Sequence, residues 1–394
     1  MDVEPVAPSS HWARALSEVE HGSGAVASVP AVIHRLNSRK VLLVTGRRSF
    51  EGSGAAAIVP ALEEVAKVVR WSGFGANPDV RDLDAGLAVI RATSPDVVLG
   101  IGGGSVMDMA KLLCAFERTV DGSVADEVRA GTPILERRVS LVLVPTTSGS
   151  GSEATHFAVV YIGDEKFSVA GPAMKPDEVV LDPGLTLSAP PLQRASSGID
   201  AVCQAIESMW ATGGTIESQA IASEALDFLM PNIVAFVDDP SPGMTAERMC
   251  AGSHLAGRAI DISKTTAAHA LSYAITKRHG VPHGNAVALT LGAFIEAHAG
   301  IDPSDLQPGV DPASHAASMR RILGALGAAN GSDARVRWIE LLERIGLVSR
   351  LAAAGVDRSR DVPTLAASVN IERLNNNPVM FDPGGLEAIL QGSI

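Results

Sequence analysis

The chain has 394 residues, 46% of them apolar and only 4% aromatic, with abundant glycine and alanine. That profile fits a soluble α/β or helical enzyme with room for two domains, and excludes a β-sandwich or a disordered tail. A formal net charge of −12 argues against nucleic acid or an anionic membrane as partner, since both require concentrated lysine and arginine.

A small anionic substrate needs only a few local cations and remains compatible with that charge. Cys114, Cys203 and Cys250 are too few and too scattered for a disulfide framework or a thiolate metal site, and read as buried fillers in a reducing compartment. The start carries Asp2 and Glu4 without a basic, then apolar, leader, so no signal peptide is expected. No apolar run approaches the about 20 residues of a membrane helix. The expected location is the cytoplasm.

In chain order, residues 1–38 form a leading segment in which Gly22–Ile33 supplies a turn and a short helix. Lys40–Thr45, KVLLVT, is a continuous apolar run of the kind buried on both faces in a parallel sheet. A helix over Gly52–Val69, a strand near Lys67–Trp71, a helix over Arg81–Thr93 and a strand over Asp96–Ile101 follow. After GGGSVMDMAK and its helix comes a strand at Ser140–Val144, then a hairpin (Phe157–Tyr161, Phe167–Ala170) and a last strand in Val179–Pro183. Strands alternating with helices and closed by glycine-rich turns predict a doubly wound, Rossmann-like parallel sheet with ligands at its carboxyl strand ends. From about Leu185 the pattern becomes helical, over Ala195–Trp210, Glu217–Phe236, Thr245–Ile262 and Ala316–Leu326, with a loop at Asp302–Ser314. The expected domains are therefore an α/β nucleotide-binding domain over 1–185 and an all-helical, metal-binding domain over 186–394.

Three stretches carry chemistry. Gly102, Gly103 and Gly104 lie between a strand and a helix, where backbone without Cβ atoms and a helix N-terminus suit a phosphate. The order is not GxGxxG. Ser105 and Asp108 have the spacing of a capping box and can equally tie down the helix start. The turn Pro145–Thr155 gathers six hydroxyls among glycines, donors for a ribose, a diphosphate or a carboxamide; taken singly it is a serine-glycine loop.

The third stretch, HALSYAITKRHGVPH, packs three histidines into fifteen residues. His269 lies in an apolar helical pattern and His283 at a loop or helix entrance, so a helix-borne and a loop-borne histidine can fold back on one point. Asp200 and Gln204 are four apart and share a helix face. Together these four N/O side chains suit a borderline divalent cation, Zn(II) or Fe(II), although a histidine on an apolar helix face is more often a hydrogen-bonded core residue.

The combination GGGSVMDMAK, PTTSGSGSEAT and HALSYAITKRHGVPHG resembles the iron-containing (group III) alcohol dehydrogenase family over nearly the whole chain, with its dehydroquinate synthase-like architecture. The resemblance implies an NAD(P)H-dependent reductase or dehydrogenase whose metal is held by Asp200, Gln204, His269 and His283, with Gln204 replacing the family's usual histidine. It also implies a cofactor set of Gly46, Arg47, Arg48, Gly102, Gly103, Gly104, Ser105, Asp108, Thr146, Thr147, Ser150, Ser152 and Lys166. A second family histidine is Tyr273 here, so the proton for the alkoxide would come from Tyr273, His279 or a metal-linked water. Within the family, VTGRRSFEGSG, GIDAVCQAIES, AGRAIDISKTTAAHALSY and VNIERLNNNP are most similar to the phosphonoacetaldehyde reductases of phosphonate antibiotic biosynthesis. General specificity for a short aldehyde is the alternative within the family.

For an anionic aldehyde, Lys264 with Thr265 and Thr266 is the expected reader of the charged group, ahead of Lys277 and Arg278, which fit a solvated helix end. Where many family members place an aspartate after the first strand, this chain has Gly46 followed by Arg47, Arg48 and Ser49. Loss of that carboxylate and gain of two arginines predict NADPH as the cofactor, with NADH still usable. A homodimer is expected. Two other classes of function share parts of this pattern: a lyase or cyclase of the dehydroquinate synthase plan, and a non-catalytic binder with a decayed metal site.

Overall fold

The structure, a computed structural model, describes residues 18–119, 123–163, 165–369 and 371–394. Residues 1–17 of the leading segment, including Asp2 and Glu4, lie outside the described residues, as does Asn370 of the VNIERLNNNP stretch. The chain divides into two compact units. The first comprises residues up to Thr146 together with His156–Leu185, and the second comprises Thr147–Thr155 with Thr186–Ile394. A single cut at residue 185 therefore does not describe the division, because the hydroxyl-rich loop clusters with the helices.

In the first unit, β1 (Glu20–His21), β2 (Lys40–Thr45), β3 (Lys67–Trp71), β4 (Val97–Gly102), β5 (Ser140–Pro145) and β8 (Glu178–Leu181) form a parallel sheet in the order β1-β8-β5-β4-β2-β3. The strands β6 (Phe157–Ile162) and β7 (Glu165–Ala170) pair as an antiparallel hairpin. Alternate residues of each sheet strand face opposite sides. Leu42, Val44, Val98, Leu141 and Leu143 pack with α1 (Val80–Thr93) and α2 (Gly104–Ala115). Val41, Leu43, Val97, Leu99 and Val142 pack with Val29, Ile33 and Leu62 on the other side. Because both faces are covered, the strands read as unbroken apolar runs, and each buried aliphatic side chain contributes roughly 1.5–3 kcal/mol. The chain leaves β2 toward β3 on one side and returns through β4 on the other. That reversal puts the turns after β2 and β4 side by side at the carboxyl edge, the place where open α/β sheets bind ligands.

The second unit is built from α3 (Pro191–Trp210), α4 (Ile216–Leu229), α5 (Met244–Ser263), α6 (Ala267–His279), α7 (His283–Ala299), α8 (Pro312–Ala325) and α9 (Gly331–Arg344), with shorter helices between and after them. Two expected helices are broken. The Glu217–Phe236 pattern splits into α4 and Ile233–Asp238 around Pro231, which lacks the N–H that a continuous helix needs. The Gly52–Val69 pattern is interrupted at Gly54, where φ is 83°, resumes at Val59–Val65, and becomes extended at Ala66 to enter β3. The three cysteines are free and buried, and burial pushes the Cys114 and Cys203 thiols up. Among the described residues, no helix is long and apolar enough to cross a membrane.

Candidate active site and metal centre

Helix α3 starts on Pro191, a good first helical position, and its beginning is fixed by the buried Arg194. That guanidinium donates to the carbonyls of Leu187, Ala189, Phe236 and Val237. From this anchored start, Asp200, Gln204 and Glu207 fall at i, i+4 and i+7 and share one face. Helix α6 presents His269 in its first turn, and His283 opens α7 directly after Pro282. The start of α7 comes close to α3 only because residue 284 is glycine. A Cβ there would stand 1.9 Å from the Ser196 carbonyl oxygen and 2.7 Å from the Asp200 Cβ.

Asp200, His269 and His283 converge: one ligand atom from each lies within 4.8 Å of the others. The His269 and His283 Nε2 atoms stand 3.5 and 3.9 Å from Asp200 Oδ1. Asp200 and His269 are buried, whereas the His283 side chain is 40% exposed, so the cluster has a dry floor and an accessible side.

Glu207 orders this cluster, although the sequence reading passed it over. Its carboxylate is fully buried. Oε1 accepts from the Thr266 hydroxyl (2.8 Å) and from the N–H groups of Thr266 (3.1 Å), Ala268 (3.1 Å) and His269 (3.3 Å). It therefore satisfies the otherwise open N-terminus of α6. Oε2 meets His269 Nδ1, which fixes the ring so that Nε2 faces Asp200. Such a carboxylate behind a ligating histidine sets its tautomer and raises its basicity. Burial alone would push the Glu207 carboxyl up, but the His269 charge and the hydrogen bonds around it hold it below its ordinary value. For His269, burial opposes the charged ring; the Glu207 charge and the bonds to Asp200 and Glu207 outweigh it and bring the imidazole to about 9. The pocket strongly favours positive charge at this point. His283 is oriented more loosely, with Nδ1 3.5 Å from the Ser272 hydroxyl, which itself donates to the His269 carbonyl.

Gln204 provides the test of whether a metal fits. Its amide nitrogen donates to the Ser150 carbonyl and to Asp200 Oδ2, both at 3.2 Å. The orientation is thereby set, and the buried Oε1 has no hydrogen-bond partner among the described residues. A buried acceptor without a donor costs roughly 1–3 kcal/mol, and a cation beside Asp200 removes that cost. Two imidazoles, a carboxylate and an amide oxygen suit Zn(II) or Fe(II).

The surrounding residues separate into those beside the cluster and those committed elsewhere. The half-buried Tyr273 ring stacks on His283 with centroids 6.2 Å apart, and Arg373 hydrogen-bonds to its hydroxyl. His279 closes α6 with its Nε2 buried and without a hydrogen-bond partner among the described residues. The expected anion readers are occupied by the protein itself. Lys264, 46% exposed, is held by Glu372 at 2.8 Å, and its backbone adopts φ 58° at the break between α5 and α6. The Thr266 hydroxyl lies between Glu207 and the Trp210 indole N–H. Thr265 is buried, and its carbonyl accepts from Asn376. Lys277 and Arg278 are exposed in the last turn of α6.

In the first unit, Gly46, Arg47 and Arg48 follow β2, Gly102 ends β4 and leads through Gly103 to Gly104 at the start of α2, and Thr146 follows β5. The Thr146 N–H donates to the Gly102 carbonyl. Arg47 and Arg48 are exposed, and Arg47 Nε donates to the Ser72 carbonyl. Arg70, from β3, adds a cation that the local sequence did not reveal: it bonds Thr45, Glu51 and the Gly46 carbonyl. Ser105 and Asp108 do not form a capping box. The Ser105 hydroxyl accepts from Asn77 N–H and Asp108 from Val159 N–H, so both tie α2 to neighbouring segments. Lys166 sits half-buried in β7 opposite Tyr161.

Thr147, Ser150 and Ser152 belong to the second unit. Their loop packs against α5 at Gly151, where φ is 61° and a Cβ would stand 2.4 Å from the Gly257 Cα. The neighbouring Glu153 is buried against His254, with 3.2 Å between Oε1 and Nδ1.

Comparison with known proteins gives this geometry its family. The iron-containing alcohol dehydrogenase model matches residues 17–183, and the C-terminal model of the Fe-containing alcohol dehydrogenase family matches residues 194–394. A phosphonoacetaldehyde reductase from Streptomyces viridochromogenes is 31% identical over 328 residues, covering 80% of each chain. A choline dehydrogenase from Bacillus subtilis is also 31% identical, over 71% of this chain and 70% of its own. The crystal structure of sulfoacetaldehyde reductase from Bifidobacterium kashiwanohense in complex with NAD+ superimposes with a TM-score of 0.84 at 26% identity, covering 95% of this chain and 96% of that one. The family's oxidoreductases use a nicotinamide cofactor and a divalent metal, and both the cyclase and the non-catalytic alternatives give way to a dehydrogenase. The chain belongs to the iron-containing alcohol dehydrogenase family.

Proposed function

We propose that this enzyme reduces a short anionic aldehyde, with phosphonoacetaldehyde going to 2-hydroxyethylphosphonate in phosphonate biosynthesis, and that it prefers NADPH. The observation that carries the reductase chemistry is the convergence of Asp200, His269 and His283 beside the open acceptor of Gln204. A divalent cation held by these four residues supplies Lewis acidity to a carbonyl oxygen, and a reduced nicotinamide supplies hydride. Glu207 keeps the His269 proton on Nδ1, leaving Nε2 for ligation. Burial raises the Tyr273 hydroxyl above its ordinary pKa, with Arg373 opposing that rise. The phenol therefore stays protonated at neutral pH and can deliver a proton to the alkoxide oxygen as hydride reaches the carbonyl carbon. His279 is the second candidate for that proton.

The charge of the substrate rests on the relatives named above. Identity alone does not choose between a reductase named for an anionic aldehyde and a dehydrogenase named for the cationic alcohol choline, each 31% identical. The sulfoacetaldehyde reductase adds a second neighbour named for an anionic aldehyde. The NADPH preference is supported by Gly46, which offers no carboxylate to repel a 2′-phosphate, and by the exposed Arg47 and Arg48 beside it. Purified, metal-loaded enzyme should oxidise NADPH in step with formation of 2-hydroxyethylphosphonate, and should turn over acetaldehyde less efficiently. Equal kcat/KM for the two aldehydes would overturn the anionic substrate and leave a general short-chain reductase.

A further inference from the structure

We infer that Arg373 is the residue that reads the anionic group of the substrate, a step that rests on the anionic-aldehyde reading above. Arg373 lies in the short helix Ile371–Asn375 and is only 8% exposed. Burying a guanidinium is costly and needs compensation from specific contacts. Its contact with the site is Tyr273: the guanidinium hydrogen-bonds to the phenol oxygen, and the phenol ring stacks on the metal-site residue His283. One tyrosine thus separates a buried cation from the cluster that is to receive a metal ion.

A metal ion at the cluster would put a second positive centre on the other side of Tyr273, and the two would repel in a poorly screened environment. A substrate that carries a carbonyl for one and an anion for the other relieves the repulsion, whereas a cationic substrate adds to it. The guanidinium is also chemically suited to the task. Its planar fork of five N–H donors can keep a bond to Tyr273 and pair with two oxygens of a phosphonate or sulfonate.

The segment bearing Arg373 is held rigidly, as a specificity residue requires. Asn376 donates to the Ser263 and Thr265 carbonyls at 2.8 and 3.0 Å and accepts from the Thr212 hydroxyl and Gly213 N–H. Asn377 donates to the Val379 carbonyl. Gln307 bridges the carbonyls of Asn375 and Asn377. Glu372, next to Arg373, is drawn outward to Lys264 at the exposed surface. The asparagine run thereby fixes the helix that carries Arg373 against the bend from which α6 starts.

The test compares phosphonoacetaldehyde with propanal, an uncharged aldehyde of similar size, in wild type, Arg373→Gln and Arg373→Lys. In Arg373→Gln, the ratio of kcat/KM for phosphonoacetaldehyde over propanal should fall on the order of a hundredfold, mostly through KM for phosphonoacetaldehyde, on top of any loss in kcat that the broken bond to Tyr273 imposes on both aldehydes. Arg373→Lys keeps the charge but loses the fork, so a selective loss of roughly tenfold is expected. Propanal turnover reports that each variant is folded. If Arg373→Gln does not fold, the Lys variant decides: a selective rise in KM supports the assignment, and an unchanged ratio overturns it. Equal losses on both aldehydes would show that Arg373 acts only through Tyr273, and would also overturn it. A wild type with no preference for the charged aldehyde defeats the functional reading together with this inference. A wild-type preference that survives in the Arg373 variants defeats the inference alone.

Discussion

The two units place their functional residues in opposite physical settings. At the carboxyl edge of the sheet, the candidate cofactor residues are a glycine turn, the exposed Arg47 and Arg48, and Arg70 reaching in from β3. In the helical unit, Asp200, Gln204, Glu207 and His269 are buried and interlocked, each serving another. The contrast teaches where each property can change independently. Exposed charges at a strand end can be changed with little structural consequence, whereas the buried network is cooperative and every removal leaves a neighbour unsatisfied.

The largest effect should follow from attacking the buried network at its centre. Asp200→Ala removes a carboxylate that faces both histidines, and should lower metal affinity by more than the roughly 10- to 100-fold that outer partners of a ligand are worth. Metal analysis after gel filtration, read beside turnover, checks this; retention of bound metal would place the centre elsewhere. Glu207→Gln is the next step down. An amide facing His269 Nδ1 sets donor against donor and disturbs the ring, so metal affinity should fall roughly 10- to 100-fold in competition with a chelator. Unchanged affinity would reduce Glu207 to a cap on α6.

The exposed setting predicts a smaller and more selective response. Gly46→Asp should shift the ratio of kcat/KM for NADPH over NADH toward NADH by roughly tenfold. A Cβ at this position meets the Ser49 hydroxyl at 2.2 Å, which a rotation of that side chain relieves. A wild type that favours NADH, or a variant with an unchanged ratio, contradicts the cofactor argument. The smallest effect belongs to Lys264→Ala. Its ion pair with Glu372 is exposed, and such pairs are worth under about 1 kcal/mol. Thermal unfolding and the kinetics of both aldehydes should barely move; a loss confined to the charged aldehyde would return anion recognition to Lys264.

Much of this arrangement is legible in the sequence, for reasons that differ by region. The sheet is readable because both of its faces are covered, which leaves Lys40–Thr45 and Val97–Gly102 as apolar runs ending in glycine turns. Asp200 and Gln204 are readable because helix periodicity places i and i+4 together. The same periodicity includes Glu207, and a further carboxylate three residues after Gln204 on the face that already carries Asp200 was the available signal. Other features depend on partners distant in sequence. Nothing near Arg70 or Arg373 announces that each approaches a site made elsewhere in its unit. The membership of Thr147–Thr155 in the helical unit depends on Gly151 meeting Gly257, a contact that local composition does not encode. The mistaken helix over Glu217–Phe236 had its correction in plain view at Pro231.

The central claim is that one buried cluster in the helical unit holds the metal. The most direct test is metal content per chain, measured on chelator-stripped protein reloaded with Zn(II) or Fe(II) under anaerobic conditions, in wild type, His269→Ala and His283→Ala. Folding of each protein is monitored by circular dichroism. The account predicts about one equivalent in wild type and background levels in both folded variants. Wild-type stoichiometry in either histidine variant would contradict it.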